Sequence, residues 1–321
     1  MPSPRILFCS LSGKIALYQK VLESARSFDR NATVVGCDCD EQCSGASMVE
    51  TFIKLPELSS LSTDQLIEIC KDNQITHILP TRDGELSFWS ERKEVFAEHK
   101  IKIWVSCSSF LHACDDKLLF YQKWKNSSIA AIPTYERLPL SSPINKWVVK
   151  ERFGSGSRHV LLNVSLDQAK EFSVSKSQRF IYQPFVKGKE FTADAWVSKT
   201  NHCHGPVLRW REKIVDGESH QSIVFRNPQW EARIKTTLRH IPGAWGHCNT
   251  QVIVDELGNL HLIEINPRLG GASPLALHAG LNSIGWHLME QSNRAGQIPQ
   301  NLVFPEGMSL SKKDGQVFLS S

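Results

Sequence analysis

Three oxygen-bearing side chains near the C-terminal end of the sequence have the types and the spacing of a divalent-cation site. The segment 251–266 reads as two strands with a turn at 255–259, because apolar and β-branched residues flank a cluster containing Asp, Gly and Asn. Residues i and i+2 of a strand face the same side, so Glu264 and Asn266 should lie together, and hairpin pairing can bring Gln251 beside them. One carboxylate with two amide oxygens suits Mg²⁺, or Mn²⁺ in its place, with water and phosphate oxygens as further ligands.

Arg268 follows two residues further along the same face, where its guanidinium could bind a phosphate group through two parallel hydrogen bonds. For an isolated E-x-N motif, the simpler interpretation is a hairpin whose polar residues face water. The longer pattern is more specific. Asn249-x-Gln251 is followed, thirteen residues after Gln251, by Glu264-x-Asn266-Pro-Arg268 and a glycine-rich turn.

This pattern resembles the metal-binding end of the ATP-grasp superfamily, most closely the carbamoyl-phosphate synthetase large subunit and the single-chain carboxylate–amine ligases. The resemblance implies that ATP is the nucleotide and that Gln251, Glu264 and Asn266 hold Mg²⁺. It also implies that Arg268 contacts the transferred phosphate and that Asn249 belongs to the same catalytic set.

The composition is typical of a globular protein of two or three domains, with 321 residues, 41% hydrophobic and 22% charged. A net charge of +4 without a long basic run predicts no nucleic-acid partner. The sequence shows no apolar run long enough to cross a bilayer and no signal peptide, which predicts a cytoplasmic protein without membrane contacts.

The cysteine pattern favours free thiols over disulfides. Nine cysteines are an odd number, and several stand inside predicted strands, which fits a reducing compartment. Cys37, Cys39 and Cys43 lie close together, but no second Cys or His pair follows at a zinc-like spacing. A zinc site is therefore disfavoured.

In the first hundred residues, short apolar strands alternate with helical patterns, which favours an α/β domain with a parallel sheet. Ligands of such sheets bind beyond the carboxyl ends of the strands. After the strand at 75–80, the segment P-T-x-D-x-E-L places Asp83 and Glu85 at such an end, and it resembles a loop in the N-terminal domain of carboxylate–amine ligases. The resemblance implies substrate contacts for both carboxylates, whereas capping of the following helix is an equally good interpretation.

Two lysines and a glycine–serine loop indicate phosphate binding in the middle of the chain. Lys117 stands at the start of a helix, and Lys150 ends a strand just before the loop 153–158. Such a loop lets backbone N–H groups and hydroxyls approach phosphate oxygens, although G-S-G-S alone would also fit a flexible hairpin. The segment resembles the phosphate-covering loop of ATP-grasp enzymes, which implies nucleotide contacts for Lys117, Lys150, Ser155, Gly156 and Ser157.

The segment Q-P-F-V-x-G-x-E at 183–190 resembles the adenine hinge of the same enzymes. The resemblance implies that Gln183 and the backbone of Phe185 and Val186 bind the adenine base. It implies that Glu190 binds the ribose hydroxyls. Relatives usually carry Glu in place of Gln183, but the amide keeps a carbonyl acceptor for the adenine amino group.

Arg209 and Arg211 share one face of a predicted strand. Relatives carry an R-x-R-E segment near the acceptor substrate, so the resemblance implies that both arginines bind an acidic substrate. An exposed basic strand face is an equally good interpretation.

The resemblance implies α/β followed by α+β structure, in three parts. A preATP-grasp domain with a parallel sheet is expected at 1–112, followed by a two-lobed ATP-grasp fold with a small lobe at 113–186 and a large lobe at 187–321. The implied function is an ATP-dependent ligase that joins a small-molecule carboxylate to an amine or similar nucleophile through an acyl phosphate. The alternative is a regulatory module that binds ATP without turnover, and assembly as a homodimer is left open.

Overall fold

The N-terminal domain is built around a parallel sheet that buries its apolar strands between helices. The computed structural model of the protein describes residues 2–139, 143–154, 156, 159–176, 180–239 and 241–320. The five strands of this N-terminal sheet follow the order β3-β2-β1-β4-β5. They are β1 Arg5–Phe8, β2 Thr33–Asp38, β3 Phe52–Lys54, β4 His77–Leu79 and β5 Lys102–Ile103. The helices are α1 Ile15–Phe28, α2 Thr63–Asp72, α3 Asp83–Glu98 and α4 Ser108–Asp115, with short 3₁₀ turns at Ala46–Met48 and Leu58–Ser60.

Local sequence signals explain several of these elements. Ser62 caps α2 by accepting a hydrogen bond from the Gln65 backbone N–H at 3.2 Å, and the Gln65 side chain accepts one from the Ser62 N–H at 2.9 Å. This reciprocal capping box is the one that the sequence predicts. Trp89 and Phe96 of α3 are fully buried in the domain core, where they supply much of its apolar contact area.

A second, three-stranded antiparallel sheet follows and is called the small sheet. Its order is β7-β6-β8, and one of its faces packs on a helix. The elements of this region are α5 Lys117–Trp124, β6 Lys146–Glu151, β7 Leu161–Ser165, α6 Leu166–Lys176 and β8 Phe180–Pro184. Trp147 and Val149 are buried against the helix side, so the intervening Lys150 belongs to the opposite face, paired with Ile181.

The third sheet, called the large sheet, has seven antiparallel strands in the order β13-β12-β9-β10-β11-β14-β15. Its strands are β9 Gly188–Val197, β10 Cys203–Val215, β11 Glu218–Phe225, β12 Gly246–Asp255, β13 Leu260–Asn266, β14 Ser309–Lys313 and β15 Gln316–Ser320. The helices around it are α7 Pro228–Arg239, α8 Ser273–His278 and α9 Ser283–Gln291, with a 3₁₀ turn at Ala295–Gln297. The final hairpin β14–β15 extends the edge of the sheet, which the sequence did not predict.

The two faces of the large sheet differ in chemistry. One face is apolar and packs against α4, α5 and α7, with Phe191, Val252 and Leu262 buried in a common core. The other face is polar: Thr192 of β9 is paired with Gln251 of β12 and with Arg209 of β10. The candidate site lies on this polar face.

The predicted fold class is confirmed, since a parallel-sheet domain precedes two antiparallel sheets. Apolar residues of α1 share one cluster with those of α8 and α9, so the first domain packs directly on the region of the large sheet. The domain boundaries stay a proposal, and the first of them, between 112 and 113, falls inside α4. No helix within the described ranges is long and apolar enough to cross a membrane.

Candidate functional site

The β12–β13 hairpin brings together the three side chains predicted to bind a metal ion. Gln251 is paired directly with Glu264, and Asn249 is paired with Asn266. The Asn266 amide Nδ2 donates a hydrogen bond of 2.7 Å to Glu264 Oε1, so these two side chains share one face. Because the amide nitrogen faces Glu264, the amide oxygen of Asn266 is left as an acceptor. Their role as metal ligands stays a prediction.

A β-bulge turns Glu264 and Asn266 away from the apolar core. The register shifts between Gln251 and Val252, so Gln251 is paired with Glu264 while Val252 is paired with Leu262. The extra residue is Ile263. In a regular strand Leu262 and Glu264 would share a face. The bulge instead lets Leu262 enter the core, fully buried, while Glu264 faces the opposite side.

Lys117 is held at the start of α5 by a capped and cross-linked helix end. The Asp116 carboxylate accepts hydrogen bonds from the backbone N–H groups of Leu118 and Leu119, which caps the helix. It also forms two hydrogen bonds with the Arg152 guanidinium, at 2.9 and 2.7 Å. The Lys117 ammonium donates to the Gly154 carbonyl at 2.7 Å, which ties the helix start to the glycine–serine loop. Sequence reasoning missed Arg152, although it directly follows the strand of Lys150.

The two lysines interact electrostatically with acidic residues of the large sheet, Glu190 and Glu264. Burial lowers the pKa of Lys150 to about 8, and the charge of Lys117 adds to this effect, while Glu264 and Glu190 oppose it. Burial also lowers the pKa of Lys117, which Glu264 opposes most. The Lys150 face of the small sheet and the polar face of the large sheet therefore line one cleft, called the central cleft.

The donor set of the hairpin fits Mg²⁺ only in part. Carboxylate and amide oxygens are suitable hard ligands, but Glu264 is the only acidic residue among the three. Within the described ranges no group of three His, Cys, Asp or Glu side chains could hold a metal ion, and this applies to Cys37, Cys39 and Cys43 as well. A cation at the hairpin would therefore need phosphate oxygens to complete its ligands.

Of the residues predicted to bind adenine and ribose, Gln183 is on the same face of the small sheet as Lys150, and Glu190 is electrostatically coupled to Lys150 and Glu264. The Gln183 amide Nε2 donates to Thr134 Oγ1 at 2.8 Å, which leaves the amide oxygen as the acceptor. The Phe185 N–H already donates to the Lys146 carbonyl at 2.9 Å, so a base could use the Phe185 carbonyl but not this N–H. Glu190 lies 2.8 Å from Nε of Arg211, and burial raises the pKa of its carboxyl. Val186 follows Phe185 and is half-buried.

The glycine–serine loop is described only in part. Ser155 and Ser157 lie outside the described residues, whereas Gly156 is described and exposed. Gly154 has φ +145°, and a Cβ there would approach Oε2 of Glu151 to 2.9 Å. This position therefore requires glycine.

Two predicted site residues from distant parts of the chain bind each other. The Arg268 guanidinium forms hydrogen bonds through Nε and a terminal nitrogen to the Asp83 carboxylate, and the Nε bond is 2.5 Å. This pair connects the start of α3 to the segment just after β13, at the border between the first domain and the large sheet. Each side chain keeps about a fifth of its surface exposed.

The substrate contact predicted for Glu85 is corrected by its surroundings. Glu85 is 2% exposed and accepts backbone hydrogen bonds from Thr81 and Arg82 at 2.8 and 2.9 Å, and a third from Ser10 Oγ at 3.2 Å. Burial raises the pKa of its carboxyl, which the backbone hydrogen bonds from Thr81 and Arg82 and the charge of Lys14 oppose. Its carboxylate caps the N-terminus of α3, which agrees with the capping interpretation of Glu85.

The buried carboxylate of Asp194, which sequence reasoning missed, connects several side chains beneath the site. Asp194 is fully buried and accepts hydrogen bonds from four side chains. They are Arg209 Nε at 2.8 Å, His247 Nε2 and Asn249 Nδ2 at 2.9 Å, and Ser273 Oγ at 2.7 Å. Asn249 and Arg209 are themselves buried, so both stabilise the large sheet through their hydrogen bonds to Asp194. The only sequence signal was an acidic residue within the otherwise apolar end of β9, at 193–197.

The comparisons with known proteins agree with this architecture. Residues 114–272 match the model of an ATP-grasp domain, and residues 6–104 match that of a PylC-like N-terminal domain. The chain thus contains an ATP-grasp domain, preceded by a PylC-like N-terminal domain. No curated protein was found to match its sequence.

Several solved structures share the fold at low sequence identity. N5-carboxyaminoimidazole synthetase from Staphylococcus aureus has a TM-score of 0.73 and 15% identity, covering 96% of this chain and 82% of that chain. L-amino acid ligase from Bacillus licheniformis has a TM-score of 0.68 and 15% identity, covering 97% and 79%. The biotin carboxylase domain of Hydrogenobacter thermophilus 2-oxoglutarate carboxylase, in complex with MgADP, ADP and bicarbonate, has a TM-score of 0.71 and 14% identity, covering 97% and 74%.

Proposed function

We propose that the protein is an ATP-dependent ligase that activates a small carboxylic acid as an acyl phosphate and transfers it to an amine or a similar nucleophile. The supporting observation is the central cleft, where Lys117 and Lys150 face the oxygen donors of the β12–β13 hairpin. Two cationic side chains opposite one carboxylate and two amides form an arrangement suited to a nucleoside triphosphate with its metal ion. The activities named for the synthetase and the amino acid ligase of similar fold belong to the same general class.

The nucleotide would lie between the small and the large sheet. Gln183 and the backbone of Phe185 and Val186 would contact the base, and Glu190 the ribose. Lys117, Lys150 and the loop at 153–158 would contact the phosphates, because cations and backbone N–H groups stabilise their charge. Gln251, Glu264 and Asn266 would hold Mg²⁺, or Mn²⁺, whose charge would offset that of the phosphate oxygens.

Arg268 and Asp83 would lie beside the terminal phosphate, where the acid would approach it. The Arg268 guanidinium has five N–H donors, of which Asp83 and the Leu269 carbonyl occupy three. The remaining two could contact the transferred phosphate while Asp83 keeps the group in place. The substrate carboxylate would attack this phosphate, with release of ADP, and the amine would then displace phosphate from the acyl phosphate.

The decisive experiment measures ADP release with Mg²⁺ and ATP in the presence of panels of carboxylic acids and amines. Acid-dependent release of ADP supports a ligase. Nucleotide binding without turnover for every pair would instead support the alternative, a regulatory ATP-binding module.

Lys150 provides a test of nucleotide binding. We expect Lys150→Met to weaken ADP binding roughly ten- to hundredfold, the effect of losing one charged hydrogen bond. Since its pKa is lowered to about 8, the charged fraction of Lys150 falls as the pH rises through 8. Binding to the wild type should therefore weaken between pH 7 and 9, and this dependence should shrink in the variant. Calorimetry at several pH values measures both, with Lys146→Met, an exposed lysine of the same strand, as the matched control.

Arg211 provides a test of substrate binding, because Arg209 is committed to Asp194. We expect Arg211→Met to raise the KM for the acid about tenfold while the affinity for ADP changes little. Since Arg211 also pairs with Glu190, Glu190→Gln is the matched control. If Arg211→Met and Glu190→Gln weaken ADP binding equally and leave the KM for the acid unchanged, Arg211 only orients the ribose-binding carboxylate.

A cytoplasmic location and assembly as a homodimer are part of this proposal. All nine cysteines are free thiols, which supports a reducing compartment. Sedimentation at several protein concentrations tests the assembly.

A further inference from the structure

An open cavity of about 250 Å³ lies at the border between the first domain and the large sheet. Its lining combines Lys93 of α3, Cys107 before α4, Lys199 of the β9–β10 turn and Trp245 before β12. None of the residues assigned above to nucleotide, metal or substrate lines it. The cavity is called the seam cavity.

Two lysines give the seam cavity a positive charge. Nζ of Lys93 lies 4.2 Å from the centre of the Trp245 ring, and Nζ of Lys199 lies 4.8 Å from it. Nζ of Lys93 donates a hydrogen bond to the Val105 carbonyl at 2.7 Å. The Glu290 carboxylate lies beside the cavity, where it accepts from the Lys199 backbone N–H at 2.8 Å and from the Trp245 indole N–H at 2.6 Å. Among the salt bridges of the described residues, neither ammonium is paired with a carboxylate. Burial and the charge of Lys199 lower the pKa of Lys93 to about 8, which shows that the two charges act on each other. An anion in the cavity would relieve this repulsion and lie over an aromatic surface.

A thiol stands beside these charges. Cys107 is partly exposed, and its Sγ lies 3.2 Å from the Ser109 hydroxyl. Burial would raise the pKa of this thiol, but the Ser109 hydroxyl, the N–H groups of Phe110 and Ser109, and the charge of Lys93 together lower it. A thiolate is the reactive form of cysteine. Gly243, with φ +82°, makes room for it, since a Cβ there would lie 2.0 Å from Sγ.

We propose that the seam cavity binds small anionic disulfides and directs them to Cys107, which forms a reversible mixed disulfide. The Cys107 thiolate attacks one sulfur of the disulfide, and a new S–S bond forms as the S–S bond of the ligand breaks. The other half of the ligand leaves as a thiolate with the bonding electron pair, and the thiol proton of Cys107 passes to water. The ligand is the oxidant, and an external thiol reverses the reaction.

The experiment compares two disulfide reagents on the whole protein. One is 5,5′-dithiobis(2-nitrobenzoate), which carries two negative charges, and the other is neutral 4,4′-dithiodipyridine. Peptide mass spectrometry follows the labelling of each cysteine with time. Cys39 serves as the reference, because it is the exposed cysteine of the chain. We expect the anionic reagent to label Cys107 before Cys39, and Cys107→Ser to remove this fast phase.

Charge variants separate anion binding from simple thiol reactivity. We expect Lys199→Ala to slow the anionic reagent at Cys107 about fivefold, and the neutral reagent much less. Lys71→Ala, which removes an exposed lysine of α2 that does not line the cavity, should change neither rate. The proposal is overturned if Cys39 reacts first with the anionic reagent, or if Lys199→Ala slows both reagents equally. An unchanged midpoint of thermal unfolding shows that the variants are folded.

Discussion

Replacement of Glu264 by glutamine should reduce ADP formation by about 10²–10³-fold and leave the fold intact. Glu264 is the only charged residue of the three proposed metal ligands, so its loss removes the negative charge that the site offers to a cation. Glutamine keeps the size of the side chain and an oxygen that can still accept the 2.7 Å hydrogen bond from Asn266. The substitution therefore tests the charge of residue 264 without changing its packing. The loss should be partly recovered at high Mg²⁺, because the nucleotide phosphates supply the remaining ligands.

The measurement is ADP release against Mg²⁺ concentration, with folding followed by circular dichroism. Glu256→Gln is the matched control, since Glu256 lies at the turn of the same hairpin, is 67% exposed and pairs with Lys187. It should turn over like the wild type. Normal turnover of Glu264→Gln at ordinary Mg²⁺ would remove Glu264 from the metal site and would leave the proposed ligase without its main support.

Replacement of Asp194 by asparagine should cost about 3–5 kcal/mol in the free energy of unfolding. The Asp194 carboxylate accepts from four donors on two oxygens. Asparagine replaces one oxygen with an NH₂ group, so a donor would meet a donor, and Arg209 would keep a buried charge without its partner. Urea unfolding measures the loss. Asp216→Asn, at the exposed β10–β11 turn, is the matched control and should change stability little.

The pH dependence of stability gives a second readout for Asp194. Burial alone would raise the pKa of this carboxyl, but the charge of Arg209 and the hydrogen bonds from His247 and Ser273 hold it well below its usual range. A lowered pKa in the folded state stabilises the fold above the unfolded-state pKa of about 4, and this contribution is lost as the pH falls further. The wild type should therefore lose stability below about pH 5, and Asp194→Asn should lose less over the same range. Equal acid sensitivity of the two proteins would contradict this assignment.

The sequence by itself determined those features that depend on neighbours along the chain. Alternating apolar strands and helices predicted the parallel sheet, and the capping box of Ser62 and Gln65 predicted the start of α2. The turn at 255–259 fixed a hairpin, and strand periodicity then placed Glu264 beside Asn266 and Gln251 across from them. The very short strand β3 and the final hairpin were missed, because three to five residues carry too little pattern.

Tertiary structure alone decided which charged groups meet. Arg268 and Asp83 are 185 residues apart, and the four partners of Asp194 lie 15 to 79 residues from it. Local sequence periodicity does not predict such pairs, since they depend on which strands become neighbours in the fold. The same reason explains Glu85, whose substrate and capping interpretations were equal until the packing of α3 buried it.

The bulge at Ile263 belongs to this second group, and it determines the site. A strict period of two would have put Leu262 and Glu264 on one face, so the strand could not have given both an apolar core and a polar cleft. In the pairing with β12, Ile263 is an extra residue between Leu262 and Glu264, so these two side chains face opposite sides of the sheet. The sequence could name the residues that carry the chemistry, but the pairing of two strands decided that they face Lys117 and Lys150.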